Sequence, residues 1–176
     1  MAEADRLLAR RAFAASVARA AGVALPVVGL IGGAAPAFAR GEQTDLAVLA
    51  AAIALEHHAI AVYDAGLRRG LFPAGLRDYA VEFAGDHEGH RDTQIAIAEE
   101  RGGRAPEPLG DYRLAWRRSE DLLREAARVE LAAQDAYTAL ISQIRTRDYL
   151  LSAAFILVDE VRHLTVWRRA LGVPIY

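Results

Sequence analysis

The sequence contains no cysteine and no lysine. The first absence excludes disulfides, thiolate metal sites and cysteine nucleophiles, so any metal must be held by histidine and carboxylate. The second makes every lysine-or-arginine cation an arginine, and these are scattered along the 176 residues rather than gathered on one face. With a formal net charge of −2, the chain offers no basic surface for nucleic acid. Strand-like alternation is missing too: beyond residue 40 the apolar periodicity is helical throughout. What is abundant is alanine and leucine, within a hydrophobic share of 53%. That suits one ordered domain with a sizeable core and excludes general disorder.

The N-terminal stretch LLARRAFAASVARAAGVALPVVGLIGGAAPAFARG has a different character. Arg10 and Arg11 precede Phe13, an uncharged stretch runs from Ala20 to Ala35, and Ala37-Phe38-Ala39 places small residues where a signal peptidase reads them. The pattern resembles a twin-arginine export signal, with an ordinary secretory signal or an uncleaved anchor as the alternative. Residues 1–39 are therefore expected to be an export signal and 40–176 the working domain, placed in the periplasm or otherwise exported. The uncharged stretch of 16 residues is short of the roughly 20 needed to span a bilayer, so no stable membrane span is expected after cleavage.

Four helical segments follow. The first begins near Thr44, with Asp45 in its first turn, and carries Leu46, Leu49, Ile53, Glu56, Ile60, Tyr63 and Leu67 in steps of three and four. The second reads Leu76, Ala80, Phe83, His87, His90, Gln94, Ile97. Gly and Pro forbid a helix through RGGRAPEPLGDYRLAW, residues 101–116. At about 3.3 Å per residue that stretch can cross the length of a bundle. The third segment reads Leu123, Ala127, Glu130, Gln134, Tyr137, Ile141, Ile144, and the fourth Ala153, Ile156, Glu160, His163, Trp167. Every seam has ionisable groups at its centre and apolar residues toward its ends.

The two halves repeat. Glu56 and Tyr63 match Glu130 and Tyr137 at an offset of 74, and Asp86, His87 and His90 match Asp159, Glu160 and His163 at an offset of 73. Two antiparallel helical hairpins joined by a long crossover would bring Glu56, His87, His90, Glu130, Glu160 and His163 to one level inside an all-α four-helix bundle.

At this point the residues carry a resemblance. ALEHHAIAVYDAG, ARVELAAQDAYTALI and VDEVRH are similar to the ligand-bearing helices of the ferritin-like superfamily, which includes bacterioferritins and rubrerythrin-type proteins. The resemblance covers residues 43–171. It implies a ferritin-like bundle with Glu56, His90, Glu130, Glu160 and His163 as metal ligands. Asp159 would orient a ligand histidine of the opposite hairpin, with Asp86 as its match. Tyr63 and Tyr137 would pack and hydrogen-bond a glutamate. His87 departs from the family pattern, which has Glu there; the set becomes three carboxylates and three histidines. The implied cofactor is two metal ions, iron first and manganese or zinc as alternatives.

On this resemblance the function is ferrous-iron or peroxide oxidation, with dioxygen or peroxide as substrate, in a chain that can form a homodimer. The residues alone leave open a non-enzymatic module with a structural metal or none, in which protonated histidines neutralise the glutamates. Closed-cage iron storage is a third option. Of the remaining polar residues, His57 and His58 are read as neighbours of Glu56, with His58 facing away from the seam, and Trp167 as sealing the core.

Overall fold

Apolar residues spaced three and four apart give each segment one face to bury, and four such faces close around a common axis. The computed structural model describes residues 37–142 and 144–175, with side chains from residue 45 onward. The expected export segment thus falls almost wholly outside the described residues. The helices are α1 (Ala37–Arg68), α2 (Arg77–Glu100), α3 (Ser119–Ile141) and α4 (Arg147–Leu171), with a single 3₁₀ turn at Ala74–Leu76 leading into α2. Among the described residues there is no strand. The expected all-α four-helix bundle is the one found.

Helix α1 packs on α2 and α3, and α4 packs on α3 and α2, leaving α1/α4 and α2/α3 as diagonals. The crossover runs the length of the bundle. It starts with Gly103 against Leu46, low on α1, and ends with Leu114 and Trp116 against Arg69, just past its top. Helix α3 therefore descends beside α1. Gly172 closes α4 in the left-handed conformation at φ 67°, which glycine adopts without a Cβ penalty.

Two apolar plugs flank the polar middle. One holds Leu49, Ile53, Tyr137, Leu140, Tyr149 and Ala153. The other is aromatic, with Tyr63, Phe72, Phe83 and Trp167 around Leu122. A fully buried side chain of this kind contributes roughly 1.5–3 kcal/mol, so the two plugs can offset several kcal/mol of desolvation between them. By length and composition Asp45–Arg68 could cross a membrane. Most of that window is buried inside the bundle, and it carries the buried Glu56, which makes it a core helix.

Several local expectations need correction. Helix α1 begins at Ala37 rather than near Thr44, so Asp45 is not at its first turn. Its Oδ2 instead accepts from the Thr146 hydroxyl at 3.1 Å and the Arg145 N–H at 3.4 Å, tying α1 to the α3–α4 turn. On α3 a buried apolar stripe runs through Leu122, Ala126, Val129, Ala133, Ala136 and Leu140, beside the buried Leu123, Glu130 and Tyr137 of the expected seam. Ala127, Gln134 and Ile141 are only half-buried, because α3 faces both α1 and α4. Ile144 is buried in the turn beyond α3, not on the helix. On α2, Ala98 is buried in preference to Ile97. His58, expected to face away from the seam, is buried beneath the crossover, stacked on Tyr112.

Gly66 sits where α1 meets the start of α3, and a Cβ there would lie 2.6 Å from both Leu122 Cδ2 and Phe72 Cε2. Those neighbours are themselves buried and cannot swing away. Gly66→Ala should lose about 1–3 kcal/mol to overpacking, more than the ~1 kcal/mol that alanine gains in helix propensity. Gly85→Ala on α2 meets open space and should be stabilising by up to about 1 kcal/mol. Thermal melts of the two variants should therefore move in opposite directions.

Candidate metal centre

All six central residues converge between the plugs. Glu56, His87, Glu130, Glu160 and His163 are fully or almost fully buried, and His90 keeps 11% side-chain exposure. They form two overlapping groups that could hold a metal ion. One is Glu56, His87, His90 and Glu160; the other is His87, Glu130, Glu160 and His163. In each group the candidate ligand atoms lie within 4.8 Å of one another. Glu160 and His87 belong to both.

The surrounding side chains follow the internal duplication. Tyr63 on α1 donates its hydroxyl to Glu130 on α3, and Tyr137 on α3 donates to Glu56 on α1 at 2.5 Å. His90 Nε2–H on α2 donates to Asp159 Oδ2 on α4 at 3.3 Å, and His163 Nε2–H on α4 donates to Asp86 Oδ2 on α2 at 3.1 Å. Each carboxylate thus fixes a tautomer and turns the other nitrogen, Nδ1, toward the interior. The indole of Trp167 donates to Tyr63 at 2.6 Å, and Gln94 donates to Tyr137. Phe83 stacks on His163 with ring centroids 3.9 Å apart.

The buried polar atoms left without a hydrogen-bond partner include His90 Nδ1, His163 Nδ1, Glu130 Oε2 and both oxygens of Glu160. A buried carboxylate oxygen or imidazole nitrogen in that condition costs several kcal/mol. The residues that carry these five atoms all belong to the two candidate metal groups. An acceptor-only set of carboxylates and imidazole nitrogens suits a divalent first-row ion. On this test the residues fit the group.

His87 is arranged differently. Its Nδ1 lies 2.8 Å from Glu56 Oε2 and its Nε2 3.3 Å from Glu130 Oε1. Two carboxylate partners require two N–H donors, which means an imidazolium in the metal-free state. Burial opposes that charge, but the charges of Glu130 and Glu160 and the hydrogen bonds to Glu130 and Glu56 raise its pKa well above the ordinary value. Burial, joined by the charges of Glu130 and Glu56, pushes Glu160 well above the usual carboxylate range against the pull of His87. Glu130 goes the other way. Despite its burial, the His87 charge, the adjacent His163 imidazole and the hydrogen bond from His87 carry it well below. Burial first, then the adjacent carboxylates, holds Tyr63 and Tyr137 as phenols.

Two contributors were not singled out by the sequence reading. Arg162 spans the α2–α4 seam, donating to Glu82 at 2.9 Å and Asp86 at 2.5 Å. Gln94 was read as a seam residue only, yet it stands 73 before Trp167, the same offset as the histidine motifs, and plays the equivalent part toward the other tyrosine. Glu88 is exposed and outside the centre.

Residues 44–173 match a family model described as a ferritin-like domain. Among solved structures, a conserved hypothetical protein from Mycobacterium tuberculosis is similar at 28% identity and a TM-score of 0.69, covering 75% of this chain and 93% of its own. No curated protein matches the sequence.

The pKa directions set the acid–base behaviour of the metal-free protein. His87 and Glu160 have raised folded-state values, so the stability they contribute is lost as pH rises. For Glu160 the loss begins above its unfolded value of about 4.3, and for His87 above about 6.5. Glu130, with a depressed value, loses its contribution in acid below about 4.3. Chelator-treated protein should therefore show its highest melting temperature at about pH 4.5, with a decline from there toward pH 9 that steepens above about pH 6.5. His87→Gln should flatten the part of that decline above about pH 6.5.

Proposed function

The chain belongs to the ferritin-like domain family, and from that premise we propose that it is an exported protein that holds two metal ions, iron in the first place, and oxidises ferrous iron with dioxygen or peroxide. The observation that carries this reading is that five buried atoms without a hydrogen-bond partner lie on residues of the two candidate metal groups. In this assignment Glu56, His90 and Glu160 hold one ion and Glu130, His163 and Glu160 the other, with His87 between them. Bound there, iron supplies one-electron redox chemistry and open positions for an oxidant.

The chain's own residues prepare that chemistry. Asp159 and Asp86 hold the two imidazoles by Nε2, leaving Nδ1 as the donor lone pair. Tyr63 and Tyr137 fix the outer glutamates by one oxygen each. Trp167 and Phe83 exclude water on one side. The partial exposure of His90 and Asp159 marks the α2–α4 seam as the approach to the centre. Arg10-Arg11 and Ala37-Phe38-Ala39 support export.

A second reading has its own support. The His87 imidazolium between Glu56 and Glu130 is the arrangement of a metal-free polar network. A non-enzymatic module, with a structural metal or none, would use it.

Anaerobic titration with ferrous iron separates the two. The redox reading expects about two ions per chain and a new near-ultraviolet absorption on adding oxygen or peroxide, both lost in Glu130→Ala. One ion or fewer, with no response to oxidant, would leave the module as the account. Competition with manganese and zinc in the same titration ranks the metals. Asp159→Ala should weaken metal binding by about 10–100-fold, read by equilibrium dialysis.

A further inference from the structure

The crossover does not lie flat on α1. Between residues 108–115 and the outer face of α1 is a cavity of about 920 Å³, within the roughly 300–1,000 Å³ range of small-molecule pockets. It lies outside the buried centre. Four guanidinium side chains line it: Arg68, Arg69, Arg91 and Arg113. Only two carboxylates share the lining, Asp64 and Asp111.

Both carboxylates are engaged. Asp64 pairs with Arg68 at 3.3 Å, and Asp111 accepts from the backbone N–H of Arg113 at 2.7 Å. Arg91 pairs with Asp92, outside the lining, at 2.8 Å. That leaves two cations with no carboxylate among the described residues. Arg69 is held in place, donating to the Leu114 carbonyl at 3.0 Å and lying 5.8 Å from the Trp116 ring centroid. The Arg113 side chain makes no hydrogen bond or ion pair among the described residues. Its backbone stands at φ 53°, which disfavours an L-residue. The remaining wall is apolar, with Ile60, Ala61 and Ala65 of α1 facing Pro108, Leu114 and Ala115.

The cavity is also pre-formed. At one end His57 Nε2–H donates to the Pro106 carbonyl at 3.1 Å. Tyr112 stacks on the buried His58 at 5.3 Å between centroids. At the other end Arg69 holds Leu114. A cavity already braced at both ends loses little entropy when it is filled. Its charge and its walls specify the occupant: an oxyanion head for the guanidiniums and an apolar body for the aliphatic side.

We propose that this cavity binds a small organic anion, a carboxylate or phosphate monoester on a short apolar body, with Arg69 and Arg113 on the head group and Ile60 and Leu114 against the body. The site does not depend on the metal centre.

Isothermal titration of the full chain with octanoate and with octyl phosphate tests the proposal and separates the two head groups. Octanol and inorganic phosphate, which each carry half of the ligand chemistry, should bind at least about tenfold more weakly, the factor expected for loss of one charge-assisted hydrogen bond in the first and of about two buried methylenes in the second. Arg113→Gly should weaken octanoate or octyl phosphate by a similar factor with little change in melting temperature, since glycine suits the backbone and the side chain it removes makes no hydrogen bond or ion pair among the described residues. Arg69→Gln should weaken the same probe, and Arg77→Gln, outside the cavity, should not. Failure of both amphipathic probes to bind at millimolar concentration would overturn the proposal. So would binding that Arg113→Gly and Arg69→Gln leave at the wild-type level.

Discussion

Three carboxylates and three imidazoles at the midpoint of an apolar bundle are the constraint on which the rest of this molecule depends. Water is excluded there, so each polar atom needs a partner within the fold. The helices are spaced and phased to provide them. Tyr63 and Tyr137 reach across α1 and α3 to the outer glutamates, and Asp86 and Asp159 reach across α2 and α4 to the histidines. The aromatic and aliphatic plugs above and below supply the apolar burial that keeps the middle closed. Five of the buried atoms that remain unpartnered, on His90, Glu130, Glu160 and His163, belong to the residues that could hold a metal ion.

The duplication explains why the partners come in matched pairs and also where they stop matching. Trp167 and Gln94 serve equivalent tyrosines, one with a large indole and one with an amide, and the two plugs differ accordingly. At the centre, Glu160 and His87 occupy equivalent positions, and there the chemistry divides. Glu160 keeps both oxygens unpartnered, whereas His87 has both nitrogens engaged by Glu56 and Glu130. One hairpin contributes an open ligand at this position, and the other contributes an internal counter-charge.

Much of this was legible in the sequence, because an ionisable residue on an apolar seam is costly and its position therefore carries information. Glu56, His87, Glu160 and His163 could be read from steps of three and four alone, and the 73- and 74-residue offsets brought the hairpins together. The phase of α3 was harder. Alanine stands at 126, 127, 132 and 133, so the apolar pattern does not distinguish neighbouring faces. Asp45 reads as a helix-start acid locally, while its partner Thr146 lies 101 residues away. Arg162 acts across two hairpins, and nothing in its own helix signals that reach. The crossover announced itself through Gly and Pro, but those residues say only where a helix cannot be, not what the chain will arch over.

The membership of the two ligand groups has a topological consequence. Each mixes residues from the first hairpin with residues from the second, and α2 and α4, which carry most of them, are sparsely packed on one another. An ion bound in either group would therefore tie the two halves of the chain together, for instance His87 to Glu160 across 73 residues, closing a long loop in the way a disulfide closes one. In a polypeptide with no cysteine, a bound metal would take the part that a disulfide cannot. Its removal would let the hairpins part along their thinnest seam.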